Sequence, residues 1–158
     1  MFEFNAEKPF DTDKIRHAVN WFFSETGFNN NGMRIDIKGV TQFDFDIYGA
    51  EKNKIWGTAS RYQDVKHKFL IKLKKSLLAS NEALLIFILF EELSHVVQYE
   101  KGEMSDCKNR STRFKGKFYK PDHEYEKCPW EIEAKADAKK LTVKYFQYRK
   151  KEYGTSAL

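Results

Sequence analysis

The chain is poor in the residues that mark specialised architectures: 158 residues include two cysteines, three prolines and eight glycines. Two thiols, Cys107 and Cys128, cannot by themselves supply a cysteine-rich zinc site or a disulfide framework. So little proline and glycine excludes a collagen-like or low-complexity chain. The longest apolar run, Ala83 to Phe90, is eight residues, far short of the ~20 needed to span a bilayer. The opening Met1-Phe-Glu-Phe-Asn-Ala-Glu-Lys8 carries acids where a signal peptide needs a basic stretch and an apolar run. Together these absences predict a cytoplasmic protein with reduced thiols and no membrane partner. What remains is the balance of a folded domain: 41% hydrophobic, 32% charged and 16% aromatic residues, at a length suited to a single domain over 1–158. Lys and Arg exceed Asp and Glu by 28 to 23, an excess that permits an acidic partner without demanding one.

Periodicity predicts an α+β order. Ile15, Ala18, Val19, Phe22 and Phe23 follow helical spacing between Asp11 and Gly27, with Asp11 to Asp13 as caps. Alternating apolar and polar residues then mark strands at Met33–Lys38, Phe43–Ile47, Ile55–Arg61 and Lys68–Lys74. A helix over 81–101 follows, capped by Ser80 and ended by Gly102. Its first half is apolar all round, which places it in the middle of the domain. A polar, basic loop over 103–128 leads to a C-terminal helix over 130–149. The expected fold is an N-terminal helix and a small mixed sheet, then a buried motif helix and a C-terminal helix packed on that sheet.

The apolar run ends in Glu91-Glu92-Leu93-Ser94-His95-Val96-Val97-Gln98. At about 100° per residue, Leu84, Phe87, Ile88, Glu91 and His95 share one face. A carboxylate and an imidazole thus continue the core stripe, and each needs a partner there. Spacing i, i+4 suits two ligands of one metal ion, and also a Glu–His ion pair or a core His satisfied by Glu. Glu92 sits about 100° round, where a general base for an attacking water would stand. On the last helix, Ala134, Ala138, Leu141 and Tyr145 form a stripe, and counting back three from Ala134 reaches Glu131. Glu131 lies nearer that stripe than Glu133, which remains the competing candidate for the inward carboxylate.

These residues carry a resemblance. Glu91-Glu92-Leu-Ser-His95-Val-Val-Gln98-Tyr-Glu-Lys-Gly102, with Phe114-Lys-Gly-Lys-Phe-Tyr119 and Pro129-Trp-Glu-Ile-Glu-Ala134, is similar to the zincin-like proteins of tailed bacteriophages, within the Glu-zincin type of metallopeptidase fold. The resemblance spans roughly residues 55 to 140. It implies a zincin-like domain in which His95 is the second ligand, Glu92 the base that polarises water, and Glu131 the third ligand. The first His of His-Glu-x-x-His is replaced by Glu91. A Glu91, His95, Glu131 site is more anionic than two His and a Glu, which favours Mn or Fe alongside Zn, or leaves the site without an ion. The implied function is a metalloprotein of phage type, a peptidase acting on a peptide or protein substrate in the host cytoplasm. The alternative is a catalytically inactive scaffold that binds a host protein or nucleic acid in an anti-defence or host-takeover role.

His123 and Tyr125 precede the last helix, where related folds place a residue that steadies the transition-state oxyanion. Cys128 is close enough in sequence to reach the same pocket. Lys108, Arg110, Arg113, Lys115, Lys117 and Lys120 are interleaved with Phe114, Phe118 and Tyr119, the composition of a nucleic-acid or acidic-partner contact and also of a solvated loop. Lys66, Lys68, Lys72, Lys74 and Lys75 suggest that the strand over 68–74 is an exposed, lysine-protected sheet edge, which in zincins also receives an extended peptide. His17 and His67 receive no role.

Overall fold

The structure, a computed structural model, describes residues 1–10, 12–43, 55–121 and 127–154. Its fold is α+β. Strand β1 (Glu3–Ala6) leads into helix α1 (Thr12–Thr26), then β2 (Arg34–Val40), β3 (Gly57–Arg61) and β4 (Lys68–Lys74). Helix α2 (Glu82–Glu100), three short strands β5 (Met104–Asp106), β6 (Thr112–Phe114) and β7 (Lys117–Tyr119), and helix α3 (Pro129–Tyr153) complete the order. The first four strands form a sheet in the order β1-β2-β4-β3, parallel except for the β3–β4 pair. The predicted strand over 43–47 lies outside the described residues apart from Phe43, which is buried.

Strand β4 is therefore not an edge, as the lysines had suggested. It pairs with β2 on one side and β3 on the other, and among the described residues the edge strands are β1 and β3. The lysines belong to an outward sheet face: Phe69, Ile71 and Leu73 are fully buried on the helical side, while Lys68, Lys72 and Lys74 alternate with them. A solvated face and an edge both favour lysine, and the pattern alone cannot separate them.

Helix α2 packs between the sheet and α3. Its N-cap is Asn81, not Ser80: the Asn81 side chain accepts the Leu84 N–H at 2.8 Å, while Ser80 closes the preceding 3₁₀ turn through Leu77 O. Its C-terminus closes on Gly102 at φ +74, with Gly102 N–H to Tyr99 O and Glu103 N–H to Gln98 O. The wholly buried stretch runs from Ile88 to Val96, whereas Leu84, Leu85 and Phe87 are half-buried. The interior of the domain thus falls about one turn later than the all-apolar first half suggested, because β3 and the N-terminal end of α3 cover the second half. Ala134 and Ala138 are fully buried on α3, and their small side chains let this helix lie close against α2. Behind them Trp21, Phe90 and Tyr145 stack with centroids 5.1 to 5.8 Å apart, a geometry favourable for aromatic rings.

Within 103–128, expected to be loop, β5, β6 and β7 form an antiparallel sheet. Met104, Thr112 and Phe114 turn inward, and the rings of Phe114 and Tyr119 meet Trp130 at the start of α3. This small sheet walls the second side of the cleft described next.

Candidate metal centre

Four ionisable side chains meet where the second half of α2 faces the first turn of α3. Glu91, Glu92, His95 and Glu131 are each at most 5% exposed. One ligand atom from each of Glu91, His95 and Glu131 can be chosen so that all three lie within 4.8 Å of one another. His95 Nε2 faces Glu131 Oε2 at 3.3 Å. Two ligands of a tetrahedral ion with bonds of about 2.1 Å stand about 3.4 Å apart, so this pair already has the separation that one ion requires. The donor set, an imidazole and two carboxylates on two packed helices, fits a divalent cation.

The imidazole is held by a residue to which the sequence assigned no role. Gln98 Nε2 donates to Trp130 O at 3.1 Å and to Glu133 Oε1 at 3.3 Å, so Gln98 Oε1 is left to accept from His95 Nδ1–H at 2.8 Å. That bond fixes the tautomer and directs Nε2 at Glu131 and the pocket. The signal was present in the sequence, since Gln98 stands at i+3 from His95 on one helix face. Glu133, the alternative ligand, lies outside the cluster and binds Lys115 Nζ at 2.6 Å instead. The backbone accounts for the choice: Glu131, Ala134 and Ala138 share the buried face of α3, and Glu133 does not.

Burial and mutual charge set the protonation of the group. Burial, then the charge of Glu131, raises Glu91 to about 7, against the pull of His95 and Lys135. Burial holds Glu92 well above the usual carboxylate range. For His95 burial alone would lower the pKa, but the charges of Glu131 and Glu92 and the bonds to Glu131 and Gln98 override it and bring it to about 10. Near neutral pH and without an ion the cluster therefore holds an imidazolium facing Glu131, while Glu92 and part of Glu91 stay protonated, so little net charge is left. A cation would displace the protons of Glu91 and His95, so its affinity rises with pH.

Glu92 lies beneath the edge strand. A Cβ at Gly57 would stand 2.9 Å from Glu92 Oε1 and 2.9 Å from Ile88 Cγ2, so glycine is what lets β3 approach the motif helix. Sequence reading gave Gly57 no role, because its meaning depends on which helix packs beneath it. Glu92, His95 and Glu131 line a cleft of about 340 Å³ between β3 on one side and β5 and β6 on the other. A larger groove of about 1110 Å³ runs between α1, α2 and α3. It touches Gln98 from behind, does not reach His95, and lacks the ligand cluster.

Cys128, at the N-cap of α3, is fully buried, and burial and then the Glu131 charge push its thiol to about 11. It remains a protonated thiol. His123 and Tyr125 lie outside the described residues. His17, left without a role, bonds through Nδ1 to Tyr145 OH at 2.9 Å, and His67 pairs with Glu100. Among the basic residues Lys108 and Arg110 sit in a 3₁₀ turn, Arg113 is exposed on β6 and Lys117 on β7. No helix among the described residues is long and apolar enough to cross a membrane. Compared with family models, curated proteins and solved structures, the chain matches none.

If Gln98 orients the ligand, Gln98→Leu should weaken metal binding by about 10- to 100-fold. Competition against a chromophoric chelator measures this, and unchanged affinity would mean that the Gln98 bond does not orient His95 for the ion.

Proposed function

We propose that the protein is a metal-dependent hydrolase of zincin type that acts on polypeptide. The observation that carries this reading is the buried Glu91–His95–Glu131 cluster, whose imidazole is already aimed by Gln98. Glu91, His95 and Glu131 would hold the ion. A divalent cation supplies Lewis acidity there, polarising a carbonyl oxygen and acidifying water. Glu92 is the proton acceptor: it lines the same cleft, is buried against Gly57, and burial raises its carboxyl pKa well above the usual carboxylate range, which makes it a stronger base once ionised. The ion is Zn, Mn or Fe; two carboxylates beside one imidazole make the site harder than two His and a Glu.

Polypeptide is the substrate class favoured by the edge strand. In the antiparallel ladder Lys74 N–H bonds Trp56 O and Tyr62 N–H bonds Lys68 O. The alternation of such a ladder then directs the backbone groups of Gly57, Ala59 and Arg61 away from β4, beside the cleft. An extended chain can pair with them.

A second reading is a scaffold that binds a protein or nucleic-acid partner without turnover. It is favoured by the self-balanced charge of the cluster, in which His95 sits 3.3 Å from Glu131 with no need of an ion.

Metal analysis of tag-free protein separates the two. The hydrolase reading expects about one divalent ion per chain, and tighter zinc binding in Glu91→His, which restores the softer ligand. Protein that takes up no ion from Zn, Mn or Fe solutions, with Glu91→His equally inert, would leave only the scaffold.

A further inference from the structure

The net charge of the chain hides a strong separation. Residues 55–75, which include β3 and β4, carry six Lys and Arg against one Asp, and residues 104–120, which include β5 to β7, again carry six against one. Gly57–Ser60 and Lys72 of the first segment, and Met104, Asp106 and Thr112 of the second, line the cleft that Glu92, His95 and Glu131 share; Lys72 is the cation of the twelve that enters this lining, and the others stand around it. Together the two segments hold twelve cations against two acids, a net +10 on a chain of +5, so the remainder carries −5. Some of these cations are already engaged: Lys68 with Asp36 and the Tyr62 ring, Lys115 with Glu133, and Lys74 over the Trp56 ring.

Lys72 is different. It lines the cleft together with Thr58 and Ser60 of the edge strand, and stands opposite Thr58 in the β3–β4 ladder. In the β2–β4 ladder it stands directly opposite Lys38. Like charges so placed weaken a sheet, and an anion bound beside them relieves the repulsion. The backbone groups of Gly57, Ala59 and Arg61 beside it suit an extended polypeptide rather than a sugar-phosphate chain.

From this arrangement we infer that the cleft takes an acidic polypeptide laid along the outer edge of β3, with which no other described strand pairs, with Lys72 as the specificity-determining residue that binds one of its carboxylates. Alternate side chains of such a strand fall on the outward face, beside Thr58 and Ser60 and within reach of Lys72. The inference rests on the cleft being the substrate site of the proposed function, but not on hydrolysis. Beyond Lys72, the cations of both segments raise the local concentration of anionic chains.

The test is binding by the full chain, with and without EDTA, of fluorescein-labelled octapeptides of Glu/Ser, Gln/Ser and Lys/Ser, and of single-stranded oligo-dT. The acidic peptide should bind about tenfold more tightly than the Gln/Ser peptide, and its affinity should fall as salt is raised. Lys72→Gln should lose about that factor for the acidic peptide while leaving the Gln/Ser peptide unchanged, and Lys72→Arg should retain it. Acidic and neutral peptides bound equally, or Lys72→Gln without effect, would overturn the inference. So would oligo-dT bound more tightly than the acidic peptide and displacing it, which would make the basic segments a nucleic-acid surface. Acidic peptide bound but never cleaved in the presence of Zn, Mn or Fe would support this assignment while removing the hydrolytic reading.

Discussion

Replacing His95 with alanine is expected to destabilise the metal-free protein by about 3–5 kcal/mol near neutral pH, the usual consequence of removing one partner from a buried charged group. His95 is 5% exposed and surrounded by Glu91, Glu92 and Glu131. Without it the three carboxyls face one another in a site with little water, and Gln98 Oε1 loses the donor that it holds at 2.8 Å. The pH dependence distinguishes this cause from a simple loss of packing. The folded pKa of His95, about 10, lies above its unfolded value of 6.5, so its contribution is complete below pH 6.5 and is lost as pH rises through 10. Glu91 runs the same way from 4.5 to about 7: its raised pKa lowers native stability as pH climbs through that window. In the variant the carboxyls have no cation opposite them and titrate higher still. At pH 5 they are protonated and relieve the repulsion. The stability gap between the wild type and His95→Ala should therefore be widest near pH 7 and narrower at pH 5 and pH 10. Urea unfolding in EDTA at the three pH values measures it, and a gap that does not change with pH would show that His95 acts only by filling space.

The same cluster shows how much of the molecule could be read from its sequence. Helices α1, α2 and α3 were legible because each spans several turns and repeats its apolar spacing, and β4 because seven residues alternate without a break. Strand β1 has four residues, and β5, β6 and β7 have three each. One period of alternation cannot be told from chance, so the small sheet looked like loop. Sheet order was illegible for a different reason: β1, β2 and β4 pair in parallel through connections whose partners no local pattern records. The site was legible where periodicity alone determines direction. Glu91 and His95 continue the stripe of Ile88, and Glu131 precedes Ala134 and Ala138 on the buried face of α3. What depended on packing between elements was not legible, notably Gly57 under Glu92, Gln98 tied to Trp130 O, and Lys72 reaching the cleft.

Glu92→Gln is the substitution that isolates the chemistry. Glutamine has nearly the same volume and shape, so the close approach of Gly57 should survive. The carboxyl it replaces is 3% exposed and strongly penalised by burial when charged. A neutral amide avoids that penalty, so the variant should be at least as stable as the wild type above pH 7. Metal content should not fall, because Glu91, His95 and Glu131 supply the ligand atoms that converge. Only the capacity to accept a proton is lost. If Glu92 is the general base of a peptide hydrolase, turnover of a cleaved peptide should fall by about 10²–10⁴-fold, with little change in peptide affinity. The pH–rate profile of the residual activity should lose its acidic limb, since that limb reports the base. Turnover that persists in Glu92→Gln at full metal occupancy would transfer the role to another group and leave Glu92 as a buried acid packed beneath the edge strand. Loss of metal together with activity would instead make Glu92 a fourth ligand, and the cluster would then be a three-carboxylate, one-imidazole site with no base of its own.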